Sequence, residues 1–426
     1  MKDVDTQGRP VVAVTGMGVV TSLGVGLADN WAKLTAGQSG IRAIRRFQTE
    51  GLRTRIGGTV DFVLPDSAPS PDRSYALAEL AVAEAIDSAR IKGTGHFPGP
   101  LFIAVPPVEL EWAGRESLSA ELPADQPITY RALSELAAAG RHTEMRSLLL
   151  LGGVAERIAD RFGTQGSPVS ISTACASGAT AIQMGVEAIR RGETDMALTA
   201  GTDGSISVEA LIRFSLLSAL STQNEVPEEA SRPFSRNRDG FVMAEGCGAL
   251  VLESLASARA RGATILGVIA GCGERADSFH RTRSNPDGSA IIGSMLGALA
   301  DAGIAPDAVD YINAHGTGTP ENDKMEAFAC STVFGERMAR LPISSNKSMI
   351  GHTLTAAGAV EAIFSLQTIR EGLLPPTINH RTPDPTIELD VVPNVARAMP
   401  VRTVMSNSFG FGGQNVSLVL QASPDR

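Results

Sequence analysis

The chain opens on an apolar block: Val11 to Val14 is an uninterrupted β-type run, and Thr15, Gly16, Met17 and Gly18 follow it. Such a run predicts a buried strand, and the glycines behind it predict a tight turn. A run of the same character, Ile265 to Gly273, also ends in glycines, and each is followed by helix-like segments rich in Ala and Leu. This echo predicts a layered α/β fold made of two related halves. Between the two runs, Gly178 to Arg191 carries Ala181, Ile182, Met184, Val186, Ala188 and Ile189 at the spacing of a mostly buried helix. Pro65 to Arg73, with Pro69 and Pro71 among Asp and Ser, predicts an exposed connection. Glycines cluster at Gly246 to Gly248, Gly316 to Gly318 and Gly410 to Gly413. Each cluster marks an ordinary turn, a sharp bend or a close approach to a ligand.

Composition narrows the class. The 426 residues are 43% hydrophobic and 19% charged, enough to bury a large core. The net charge of −9 argues against broad nucleic-acid binding, so an acidic partner has to dock on a local basic patch. The four cysteines, Cys175, Cys247, Cys272 and Cys330, show no CxxC pairing, and neither a zinc site nor a disulfide framework is signalled. Met1 to Pro10 is polar, with no signal-peptide core behind it, and no apolar run approaches the length that spans a bilayer. The expectation is a cytoplasmic protein without membrane insertion.

Chemistry concentrates in three places. Cys175 sits in Ser172-Thr173-Ala174-Cys175-Ala176-Ser177-Gly178, between the β-like run Pro168 to Ile171 and the predicted helix. A helix N-terminus lowers a thiol's pKa and supplies N–H groups for an oxyanion, so a nucleophile reads as well here as a small buried hydrophobe. Two of six histidines lie in glycine- and threonine-rich settings, Asn313-Ala314-His315-Gly316-Thr317-Gly318-Thr319 and Lys347-Ser348-Met349-Ile350-Gly351-His352. Either alone reads as a structural hydrogen-bonder; with Cys175 and Lys347 they form a candidate constellation.

These motifs, together with Arg238-Asp239-Gly240-Phe241, Glu245-Gly246 and Asn407-Ser408-Phe409-Gly410-Phe411-Gly412-Gly413, resemble the β-ketoacyl-acyl carrier protein synthases of the elongating type over residues 11 to 426. The resemblance implies the thiolase-like five-layered αβαβα fold, with an N-terminal half at 1–260 carrying Cys175 and a C-terminal half at 261–426 carrying His315, Lys347 and His352. It implies decarboxylative Claisen condensation in fatty acid elongation, with Cys175 holding the acyl group and malonyl-acyl carrier protein as the second substrate. By the same resemblance His315 and His352 stabilise the enolate, Lys347 pairs with Glu361, and the N–H groups of Cys175 and Phe411 form the oxyanion hole. Phe411 would also gate the acyl pocket. Thr317, Thr319, Phe409, Asp277 and His280 fall at substrate-binding positions. No cofactor is implied, and no metal beyond a monovalent cation that some relatives hold at the positions of Asn313, Glu361, Ser406 and Asn407. The implied partners are the acyl carrier protein with its phosphopantetheine arm and a second copy of the chain.

Rival readings are weaker. Thiolases use a second cysteine near the C-terminus, and none follows Cys330; initiating synthases use a Cys-His-Asn set, whereas His352 is a second histidine. A silent chain-length-factor-like subunit would lack the reactive cysteine, and a cysteine hydrolase would need its base oriented by a carboxylate or amide. The departures from the family pattern concern partner and substrate. Ser218 stands where the family has Arg, Ser67 to Arg73 replaces an Arg-rich stretch, and Val105-Pro106-Pro107-Val108-Glu109 replaces a glycine-rich loop. Charge steering is then expected elsewhere, at Arg213, Arg141 or Arg146, and a specialised carrier protein or acyl chain is one reading of the changes; drift is the other.

Overall fold

The computed structural model describes residues 3–91, 95–140, 143 and 149–425. Its principal strands are β1 (Val12–Thr21), β2 (Leu101–Ala104), β3 (Val169–Ile171), β4 (Met196–Asp203) and β5 (Gly246–Ser254), then β6 (Gly267–Ala276), β7 (Tyr311–Asn313), β8 (Pro342–Ser344), β9 (Thr403–Phe409) and β10 (Gln414–Gln421). Hydrogen bonding runs in the order β8-β7-β9-β10-β6-β1-β5-β4-β2-β3, with the short strand Asp390–Val391 beyond β8. Each half repeats one pattern. Counting from its first strand the order is 1-5-4-2-3, with two antiparallel pairings followed by two parallel ones. The halves join where Val12, Ala13 and Val14 pair antiparallel with Ile269, Val268 and Gly267.

The helices repeat as well. In the first half α1 (Ser70–Ser88), α2 (Gly153–Phe162) and α3 (Ser177–Arg190) follow β1, β2 and β3. In the second half α4 (Ser289–Ala302), α5 (Pro320–Phe334) and α6 (Ala357–Glu371) follow β6, β7 and β8. Helix α1 covers β1 and β5, α4 covers β6 and β10, and α3 and α6 lie between the two sheet halves, which makes five layers. The fold is the mixed α/β, thiolase-like architecture the motifs implied.

The expected turn at Thr15 to Gly18 is instead the interior of β1, which shifts register between Val14 and Gly16 and continues to Thr21. Its glycines serve packing. A Cβ at Gly16 would lie 2.0 Å from the Ala85 carbonyl oxygen, and one at Gly18 2.0 Å from that of Ala81. The second half does the same, with Gly271 against Ala298 and Gly273 against Ser294 at 2.2 and 2.1 Å. The sequence echo is therefore a repeated close approach of helix to strand. Gly246 and Gly248 likewise lie inside β5. The exposed connection is also shorter than expected: Pro69 caps α1, which begins at Ser70, and Arg73 is buried with its guanidinium donating to the carbonyls of Pro65, Asp66 and Ala68.

At the centre α3 and α6 cross through small residues. A Cβ on Gly178 would fall 2.7 Å from Ala359 N, and one on Gly358 2.5 Å from Ala179 N. Only glycine at both positions lets the two backbones approach this closely. That crossing sets the turn before α3 and the turn before α6 side by side.

Candidate active site

Cys175 lies in a single 3-10 turn, Ala174–Ala176, between β3 and α3, and Ala174 holds φ 51° to make the corner. His315 follows β7; Lys347 opens the short helix Lys347–Ile350 after β8, and His352 follows that helix. Phe409 ends β9, with Phe411 in the loop to β10. The strand ends thus converge from both halves on one buried cluster: Cys175 is 8% exposed, His315 and His352 2%, and Lys347 and Glu361 1%.

His352 Nε2 is 3.1 Å from Cys175 Sγ, and the His315 and His352 rings meet edge to face at 5.2 Å. One ligand-type atom each from Cys175, His315 and His352 falls within 4.8 Å of the others. Hydrogen bonding assigns the tautomers. Leu354 N–H donates to His352 Nδ1 at 3.2 Å, and the Lys347 ammonium sits 3.4 Å from His315 Nδ1. With Nδ1 accepting in both rings, each neutral imidazole carries its proton on Nε2 and presents a donor. Burial, then the Lys347 charge, holds both histidines well below the usual imidazole pKa, so they are neutral near pH 7. Lys347 is ion-paired with Glu361, whose carboxyl burial pushes up to about 7 against the pull of Lys347.

The thiol contradicts one expectation. Burial raises Cys175 to about 11, and the N–H of Phe411 and the charge of Lys347 only partly oppose it. The turn before α3 does not deliver a preformed thiolate, because desolvation outweighs the helix N-terminus there. Cys247, Cys272 and Cys330 are raised by burial too, and all four cysteines are free thiols.

The cluster opens into a cleft whose apolar wall is Phe214, Phe241, Leu354 and Phe411, with Phe241 edge to face on Phe214, His352 and Phe411. Phe409, Thr317, Thr319, Asp277 and His280 line the same cleft. The two threonine hydroxyls are 2.9 Å apart, and Asp277 is engaged by the N–H groups of Phe279 and Asn285. At the four cation positions, Asn313 Oδ1 and Glu361 Oε2 are buried oxygens without a donor among the described residues, which suits a hard cation. Asn407 is committed elsewhere, donating to Glu326 and accepting from Ser417. Of the basic residues suggested for steering, Arg213 is ion-paired with Glu109, and Arg141 and Arg146 lie outside the described residues.

Sequence reasoning missed two supports. Glu326 on α5 accepts the N–H groups of His315 and Gly316 at 2.8 and 2.7 Å and is pushed up to about 7 by burial. Asp203, at the end of β4, accepts from Thr355 and Ser205 and is raised to about 6, again by burial. A signal existed for the first, since Asp323 and Glu326 stand i, i+3 on α5 and both face the interior.

Comparison with known proteins accounts for the architecture and the triad together. Residues 9–91 and 129–258 match the N-terminal domain of β-ketoacyl synthases, and residues 266–381 match their C-terminal domain. The chain belongs to the β-ketoacyl synthase family. It is 39% identical over 425 residues to 3-oxoacyl-(acyl-carrier-protein) synthase 2 of Coxiella burnetii, covering 96% of this chain and 98% of that protein. Among solved structures it is similar to a type II polyketide ketosynthase in complex with its acyl-carrier protein, with a TM-score of 0.84 and 32% identity. It is equally similar to the ishigamide ketosynthase/chain length factor, with a TM-score of 0.84 and 35% identity. Both matches cover 97% of this chain and 100% of the other. The first of these is thus a ketosynthase seen with its acyl-carrier protein, and the second a ketosynthase/chain length factor. Among the described residues no helix is long and apolar enough to cross a membrane.

Proposed function

We propose that the chain is a cytoplasmic 3-oxoacyl-acyl carrier protein synthase that elongates an acyl chain held on Cys175. The observation that carries this reading is the Cys175–His352 contact at the floor of an apolar cleft, with His315 alongside. Cys175 exchanges with the acyl-carrier thioester: its sulfur bonds to the acyl carbon, the carrier sulfur leaves, and the thiol proton goes with it. As charge develops on the carbonyl oxygen, the N–H groups of Cys175 and Phe411 receive it. Malonyl-carrier protein then loses carbon dioxide, the C–C electrons pass to the enolate, and the Nε2–H groups of His315 and His352 donate to its oxygen. The carbanion attacks the Cys175 thioester, and the released thiolate takes a proton from water.

Neutral donors suit this chemistry. An imidazolium would protonate the carbanion it is meant to stabilise, and the Lys347 charge opposes that protonation at His315 and His352. Lys347 with Glu361 acts as a positioning pair, and the oxygens at Asn313 and Glu361 serve a structural cation. Thr317 and Thr319 receive the pantetheine arm, Phe409 and Phe411 border the acyl group, and Asp277 and His280 order the entrance loop. The chain works as a homodimer, a reading supported by the open edge of β3 and by the exposed side chains Trp112, Leu150 and Leu216.

The test is intact mass after incubation with acyl-carrier proteins of graded chain length, followed by malonyl-carrier protein. An acyl adduct that Cys175→Ala abolishes, then two-carbon extension, supports the synthase and reveals its preferred chain. Absence of any adduct refutes it in favour of a silent subunit, and a chain-length profile identical to that of a housekeeping synthase refutes specialisation.

A further inference from the structure

The cleft mouth holds two arginines that the chemistry above does not use. Arg281 and Arg283 line it, both are exposed, and neither side chain has an ion pair or hydrogen-bond partner among the described residues. The chain carries a net charge of −9, and several basic residues of the first half that could meet an acidic group are already spent. Arg213 is paired with Glu109, Arg157 with Asp72 and Arg161 with Glu79, and Arg73 is buried against carbonyls. The segments where the family pattern has arginine, Ser218 and Ser67 to Arg73, offer no exposed cation. Two carboxylates share the mouth. Asp277 is held by two backbone N–H groups, whereas Glu321 is exposed and has no ion pair among the described residues.

We propose that Arg281 and Arg283 recognise the phosphate of the incoming phosphopantetheine arm. The reading rests on the proposed function, because it concerns the same cleft. When the arm's thioester reaches Cys175, its phosphate is at the far end of the arm, outside the apolar floor. A phosphate there meets two guanidinium groups that are free to turn toward it, and charge-assisted contacts to phosphate are the strong kind arginine makes. Pinning the arginines to one loop ties the anion site to the cleft entrance: the Arg281 carbonyl accepts the Gly412 N–H at 2.8 Å, beside Phe411.

The experiment compares three acyl donors of one chain length: acyl-pantetheine, acyl-phosphopantetheine and the complete acyl-carrier protein. Loading of Cys175 is read by mass for the full-length protein, for an Arg281→Ala/Arg283→Ala double variant, and for Glu321→Gln. The wild type should load from acyl-phosphopantetheine about tenfold more efficiently in kcat/KM than from acyl-pantetheine, and the double variant should lose that preference while loading from acyl-pantetheine unchanged. Glu321→Gln should enlarge the preference. Equal loading from the two small donors by the wild type overturns the proposal and leaves the synthase reading intact. A defect of the double variant confined to the complete carrier protein also overturns it, since the arginines would then read carrier carboxylates. Failure of the wild type to load from any donor refutes the synthase reading and this one with it.

Discussion

The turns that precede the two central helices are copies of one device put to different uses. Ala174–Ala176 leads into α3 and Leu354–Ala356 into α6; Ala174 and Leu354 hold φ 51° and 45°, and each helix has its crossing glycine in its second position. The middle residue is Cys175 in one and Thr355 in the other. Thr355 is saturated, its hydroxyl bonded to Asp203 Oδ2 and to the Thr202 carbonyl at 2.8 Å each. Cys175 instead faces the cleft and meets donors that become useful only when its sulfur is charged. The duplicated scaffold places two residues equally well, and the groups around each decide which one is chemical and which one holds the halves together.

Changing the middle residues should separate the two roles most sharply. Cys175→Ala should lower acyl loading by about four orders of magnitude or more, measured by adduct mass, with the thermal midpoint little changed. Breaking the buried pair is the next largest effect. Lys347→Ala removes the cation that holds the buried Glu361 carboxyl ionised, so Glu361 takes up a proton and loses its partner, which should cost about 3 kcal/mol in urea unfolding; a cost under about 1 kcal/mol would show the pair to be dispensable. Gly358→Ala drives a methyl into the Ala179 backbone and should cost about 1–3 kcal/mol, with loss of loading as the two turns separate. Thr355→Ala removes a neutral hydroxyl from Asp203, which keeps Ser205, and should cost about 1 kcal/mol with loading preserved; abolished loading would make the second turn chemical as well.

The smallest effect to detect concerns pH. Cys175 is raised to about 11, so its reactive thiolate form grows as pH rises and saturates only near that value. Iodoacetamide labelling of Cys175 should therefore climb through pH 7 to 10, where an unperturbed cysteine would level off nearer its ordinary value. His315 and His352, shifted the other way, stay neutral as pH falls to 6.5 and should add no inflection there.

The local motifs carried much of this in plain view. Ala174-Cys175-Ala176, Ala314-His315-Gly316 and Gly351-His352 are short stretches whose small residues dictate sharp turns at strand ends, so position along the chain already implied position at one end of a sheet. The repeated apolar-then-glycine runs announced two halves, because a strand that receives a helix at backbone distance needs glycine wherever it stands. Local pattern could not say whether those glycines bend the chain or admit a helix, since Gly16 and Gly18 read alike in both cases until α1 is laid across them. Nor could it give the Cys175 thiol its pKa: a helix N-terminus is visible in sequence, but the depth of burial that outweighs it is set by the packing of both halves. The same holds for Glu326, Asp203 and for Arg281 and Arg283, which have no partner among the described residues. A charge is spent, saturated or available according to which distant residues tertiary packing sets against it, and those neighbours are not written near it in the chain.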